Sequence, residues 1–167
     1  MSIDTAILNS IKHSPIRNYI VPGLTSWLIT ELSDKGCIRL FESQRTHLER
    51  IIPHSHRFDF TCVVIRGEVI NTIYERPSAG HEDEQKDQKY AEIILENKGM
   101  PGSYGALAPQ NWPIHCYRPY SASYKSGETY SMTAEQIHSI QFCKDTMVLF
   151  FEGPKKKRNI CYIATSG

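Results

Sequence analysis

The chain has 167 residues, 40% of them hydrophobic and 22% charged, which is ordinary for a globular protein and enough for one domain with a sizeable core. Nineteen Lys and Arg against 18 Asp and Glu leave a formal net charge of +1, so neither the global basic field of a nucleic-acid binder nor an acidic field for cationic partners is present. No apolar stretch reaches the length of a membrane span, no basic leader precedes an apolar block at the N-terminus, and the five cysteines are dispersed without a CxxC. Reduced thiols and a cytoplasmic location are expected, with no membrane or nucleic-acid partner.

Residues 1–36 read as a helical N-terminal segment. Ser2 or Asp4 is a candidate N-cap for a first helix with Ile3, Ile7, Leu8 and Ile11 on one face,. Val21, Pro22 and Gly23 mark a turn. "TSWLITELSDKG" then offers Thr25 and Ser26 as caps and Gly36 as a C′ glycine, which predicts a second helix.

From residue 37 to residue 167 the pattern is β. "CIRLFESQR" alternates Ile38 and Leu40 with Arg39 and Phe41, and "FDFTCVVIRGEVINTIYE" is rich in β-branched and aromatic residues around Gly67,. "YAEIILEN", "YGALAPQNWPIHCYRPY", "SGETYSMTAEQIHSIQFCKDTMVLFFEGP" and "NICYIAT" supply the remaining strands. Many short strands at this spacing predict a sandwich or barrel. The polar stretch "PSAGHEDEQKDQK", residues 77–89, reads as a long exposed hairpin loop distal to any site,. The basic run "KKKR", Lys155 to Arg158, reads as a solvated turn between two strands,.

The chemistry concentrates in "PHSHRFDF". Alternate residues of a strand face one side, so His54 and His56 point together and can share one ion. Neutral imidazoles suit Fe(II), Zn, Ni, Cu or Mn. The stretch "HSHRFDFTCVVIRG", followed much later by "GETYSMTAEQIHSI", resembles the two motifs of the cupin superfamily. The first falls on His54, His56 and Gly67, the second on Gly127 and His138. This resemblance covers most of the β region. It implies a single antiparallel β-barrel or jelly roll with the metal inside the barrel mouth, held by His54, His56 and His138. At the position of the family's glutamate ligand this chain has Phe60. Asp59 is adjacent and faces away in a regular strand, unless a β-bulge turns it inward.

Three imidazoles without a carboxylate are the ligand set of the thiol dioxygenase branch of cupins. That resemblance implies Fe(II), with Zn, Ni or Mn as other occupants, and an enzyme that oxidises a small thiol or related metabolite. The alternatives are a non-catalytic module binding a small anion such as a nucleotide or sugar phosphate, and a metal-dependent isomerase or lyase. Arg39 is the candidate anchor for a substrate carboxylate or phosphate. Tyr130, on the parity of His138, is the candidate phenol donor. Cys62 reads as a small core residue, and His115 as a further candidate close to the metal ligands. A homodimer through an edge strand is a possible assembly.

Overall fold

The computed structural model describes residues 15–19, 21–44, 51–95 and 112–165. Ten strands follow one another: β1 Leu24–Glu31, β2 Cys37–Ser43, β3 Phe60–Arg66, β4 Glu68–Glu75, β5 Gln88–Leu95, β6 Ile114–Lys125, β7 Thr129–Met132, β8 Ile137–Phe142, β9 Met147–Glu152 and β10 Ile160–Thr165. They form two five-stranded sheets, β1-β2-β9-β3-β7 and β10-β5-β6-β4-β8, antiparallel at each pairing. The path crosses repeatedly between the sheets, from β3 to β4, β6 to β7, β7 to β8, β8 to β9 and β9 to β10, as in a double-sheet jelly roll. The described residues contain no helix, and hence none long and apolar enough to cross a membrane.

One short segment nearly closes the second sheet. His54 bridges His138 of β8 on one side and Tyr162 of β10 on the other. The backbone bonds are His54 N–H to His138 O (2.9 Å), His138 N–H to His54 O (3.1 Å), Ser55 N–H to Cys161 O (2.8 Å) and Ile163 N–H to Pro53 O (3.0 Å). Both edges of that sheet are thereby partly paired, which reduces the unpaired donors and acceptors an open edge would present,.

Strand alternation sorts the side chains. Ile140 and Phe142 of β8 join Phe41, Phe60, Cys62, Val64, Val148 and Phe150 in the core between the sheets. Ile137 faces the opposite way and packs with Tyr74, Tyr90, Tyr117 and Ile163 inside the curl of the second sheet. His138 has the parity of Ile140 and Phe142, so it faces the space between the sheets.

Two expectations are corrected here. Residues 25–36 are not helical: β1 pairs with β2 from Leu24↔Ser43 to Glu31↔Cys37. Apolar residues at 27, 28, 29 and 32 satisfy a helical stripe, but pairing against β2 and burial of Leu24, Thr25 and Ser26 decide for a strand. Gly36 closes the β1–β2 turn, where Leu32 N–H bonds Gly36 O at 2.8 Å. A Cβ there would lie 2.3 Å from the carbonyl oxygen of Glu152, so close backbone approach, not helix termination, requires the glycine. The first predicted helix, residues 2–13, lies outside the described residues.

Nor is the stretch after β4 a hairpin loop. It joins β4 to β5, and β6 lies between those two strands. Arg118 of β6 anchors it, Nε to Asp87 Oδ1 at 2.6 Å and Nη2 to Oδ2 at 3.1 Å, a two-pronged pair that holds the Asp87 carboxyl below the usual range,.

Candidate metal centre

The segment that closes the second sheet also carries two of the three histidines. His54 and His138 form a hydrogen-bonded antiparallel pair, which places their side chains on one face with Cα atoms about 5.5 Å apart. His56 is outside any strand, and its backbone N–H is fixed by Ala134 O at 3.0 Å. Ring centroids stand 4.6 Å apart for His54–His56, 5.3 Å for His54–His138 and 4.8 Å for His56–His138. One ligand nitrogen from each ring lies within 4.8 Å of the others.

The outward hydrogen bonds select which nitrogen is free. His54 Nδ1 lies 2.7 Å from Ile52 O, a carbonyl that can only accept, so Nδ1 carries the proton and Nε2 keeps its lone pair. His138 Nδ1 lies 2.6 Å from Asn71 Oδ1, which leaves its Nε2 free as well. His56 Nε2 is 3.4 Å from His138 Nε2, and the buried Nδ1 of His56 has no hydrogen-bond partner among the described residues. Burial lowers all three imidazoles. That of His54 is opposed by its bond to Ile52. His56 falls to about 3, with the charges of His54 and Arg158 adding to burial, and His138 falls well below the usual histidine range. Three neutral rings thus present lone pairs to one point. A metal–nitrogen bond of about 2.1 Å with near-tetrahedral angles separates two ligand nitrogens by about 3.4 Å, the spacing found between His56 and His138. The donor set fits a divalent ion.

The group around the rings is mostly apolar. Phe60, 3% exposed, stands 5.0 Å from His56 and 5.5 Å from His138 and stacks on Phe150 at 5.0 Å. Position 60 is therefore filled by a packed ring and not by a carboxylate. Asp59 does not turn inward. It is exposed, accepts Ala134 N–H at 2.8 Å and pairs with Lys156 Nζ at 2.9 Å. The hydrogen bond from Lys156, then that from Ala134, holds its carboxyl below the usual range.

A cavity of about 350 Å³ opens beside the three rings, within the size range of small-molecule sites. Its walls include Leu24, Phe41, Phe58, Phe150 and Tyr162, and its charged lining is Arg39, Arg57, Lys155 and Glu152. Arg39 therefore shares the cavity with the histidines, with its Nε 3.5 Å from Glu152 Oε1. Glu152 also accepts the Cys37 thiol at 3.1 Å, and burial followed by that bond pushes the thiol up to about 11.

Tyr130 is not among the cavity's lining residues. It is 8% exposed, behind Phe60 at 6.1 Å, and opposite Cys62 across β3 and β7. Burial pushes the Cys62 thiol up to about 12, as expected of a core residue. His115 lies on β6 beside Glu92, 3.5 Å away, and is likewise not among the cavity's lining residues.

Two residues went unread in the sequence. Asn71, 2% exposed, holds the His138 ring. Its trace was a polar residue amid the alternation Val69, Asn71, Ile73. Glu152, a carboxylate with the parity of the buried Val148 and Phe150, left a similar trace.

No family model matches the chain, and no curated protein matches it. Among solved structures it is similar to KdgF from Halomonas sp., with 12% identity over 87% of this chain and 91% of that one and a TM-score of 0.48. It is also similar to a cupin superfamily protein from Desulfitobacterium hafniense DCB-2, with 11% identity, coverage of 86% and 84% and a TM-score of 0.46. A third is hydroxypropylphosphonic acid epoxidase from S. wedmorenis, with 9% identity, coverage of 84% and 55% and a TM-score of 0.49. Likenesses of this size say nothing of activity.

Proposed function

We propose that the chain is a metal-binding cupin that holds Fe(II) through Nε2 of His54, His56 and His138 and oxidises a small thiol or related metabolite with O₂. The observation that carries this reading is the convergence of three neutral imidazole nitrogens, each within 4.8 Å of the others, on an apolar cavity. A divalent ion bound there supplies a Lewis-acidic centre with coordination positions open to a ligand.

The chain's own residues do the rest. No carboxylate contributes to the proposed ligand set, so the ion keeps its full charge for an anionic ligand. Ile52 O and Asn71 Oδ1 hold two rings in the tautomer that leaves Nε2 unprotonated,. Phe58, Phe60 and Phe150 exclude water, and Arg39 on the cavity wall offers a guanidinium to a ligand oxygen,.

The test is anaerobic purification without a histidine tag, metal analysis, and O₂ uptake on adding cysteine, cysteamine or mercaptopropionate. One equivalent of iron, lost on His138→Ala in a folded protein, with thiol-dependent O₂ uptake, is the expected result. Unchanged metal content in His138→Ala removes the site. Full metal occupancy without O₂ uptake removes the oxidation and favours the isomerase or the binding module.

A further inference from the structure

We propose that the ligand of this cavity carries a phosphate monoester or an equivalent dianion, clamped by Arg57 and Lys155 at the rim. The inference rests on reading this cavity as the ligand site, and it concerns the part of the ligand that meets the charged lining. Of the four charged side chains lining the cavity, Arg39 and Glu152 offset each other at 3.5 Å. Arg57 and Lys155 remain, and neither has a carboxylate partner among the described residues. Three cations less one carboxylate leave a surplus of +2 on the lining. A phosphate monoester carries about −1.5 to −2 at neutral pH, against −1 for a carboxylate, so the dianion is the better match.

The two cations come from different elements that the fold ties together. Arg57 stands between the ligand His56 and Phe58. Lys155 lies on the connection between β9 and β10, and the next residue, Lys156, donates its backbone N–H to Arg57 O at 2.6 Å. Asp59 fastens the same connection by accepting Lys156 Nζ at 2.9 Å, and Glu135 accepts Arg158 Nη1 at 2.9 Å. The basic run "KKKR" is thus divided. Lys156 and Arg158 are held by carboxylates, Lys157 is exposed and does not line the cavity, and Lys155 alone lines it. A continuous basic stripe for a nucleic-acid backbone is not what remains. One lysine and one arginine at the opening of a small cavity suit a single phosphate, which arginine can contact in two-pronged fashion.

The test uses the full chain, metal-free and zinc-loaded, with phenyl phosphate, benzoate and phenol as probes of one apolar body and falling charge, read by isothermal calorimetry. Phenyl phosphate is expected to bind about tenfold or more tighter than benzoate. Arg57→Gln and Lys155→Gln are each expected to lose about tenfold and to abolish that preference. Lys157→Gln, which alters the same net charge, is expected to change affinity less than about twofold. Equal affinity for phenyl phosphate and benzoate overturns the proposal. So does an equal loss in Lys157→Gln, or tight oligonucleotide binding that all three variants weaken alike, since either result means a diffuse basic patch. Thermal melting of each variant confirms that it is folded. Failure to take up zinc with the phosphate preference intact sinks the metal reading and leaves the clamp standing; normal zinc uptake without the preference does the reverse.

Discussion

Replacing Asn71 by leucine isolates what orients the metal site. Asn71 and His138 are each 2% exposed, and the 2.6 Å bond from His138 Nδ1–H to Asn71 Oδ1 is the imidazole's one outward contact to a hydrogen-bond acceptor among the described residues. Leucine keeps the branched shape, though it is bulkier, and removes the acceptor. The ring then holds a buried N–H without a partner, a cost of about 1–3 kcal/mol. The weak 3.6 Å contact from Asn71 Nδ2 to Met132 Sδ adds little. For a domain of this size the loss lowers Tm by roughly 2–4 °C per kcal/mol. The larger effect is on the ion, because a ring free to rotate or change tautomer binds metal about 10–100-fold more weakly. Asn71→Asp keeps an acceptor and raises the basicity of the ring, so its affinity is expected to equal or exceed that of the parent. Competition with a chromophoric chelator measures the affinities, and calorimetric melting of the metal-free forms measures the stability. If Asn71→Leu binds zinc as tightly as the parent, the bond does not orient His138 and the tautomer argument fails.

The fold and the protonation state of the site give two further predictions. Gly67 sits at φ +82°, and a Cβ there would lie 2.5 Å from Thr146 Oγ1 and 2.8 Å from Thr146 Cα. Gly67→Ala is therefore expected to cost more than the roughly 1–2 kcal/mol of the left-handed backbone alone, and a denaturant midpoint equal to the parent's argues against this β3–β4 turn. All three site histidines have folded-state values below the unfolded value of about 6.5,, so the unfolded chain binds more protons as the solution is acidified. Stability of the metal-free protein is complete above about pH 6.5 and falls below it, towards about 3 for His56, by up to about 1.4 kcal/mol per pH unit for each histidine. Urea unfolding of the parent and of His56→Gln across that window should show a shallower decline in the variant; parallel declines would place the proton uptake elsewhere.

How much of this was legible depended on the range of the interaction involved. The grouping of His54, His56 and His138 could be read because residue type and local spacing carry the chemistry, although backbone pairing aims only the rings of His54 and His138. The direction of Asp59 stays open in the sequence, because its partner Lys156 is 97 residues away and no local pattern announces it. Residues 25–36 were misread because the apolar positions fit two periods at once, and the tie is broken only by the ladder to β2. The stretch after β4 was taken for a hairpin loop because neighbouring strands usually pair. Here β6 claims the position beside β4 with eight paired residues, from Glu68↔Lys125 to Glu75↔Arg118. Asn71 and Glu152 were visible only as polar interruptions in apolar alternations, which mark a buried polar group without saying what it meets.

His54 ties the chemistry to the fold more closely than the other two histidines. Its backbone joins β8 to β10 and so closes the second sheet, while its ring faces the other two imidazoles. The bridges are made by backbone atoms, so the paired backbones of residues 54 and 138 set the separation of their rings without any ion. His56 lacks that support. Its backbone is held by Ala134 O, and its buried Nδ1 has no partner. That unpaired nitrogen is costly in the metal-free protein, because a buried polar atom without a hydrogen bond loses its hydration and gains nothing in return. The same ring stands 5.3 Å from Phe58 and 5.0 Å from Phe60. Of the three imidazoles, His54 and His138 are thus the pair set by paired backbones, and His56 is the one whose second nitrogen finds no partner among the described residues.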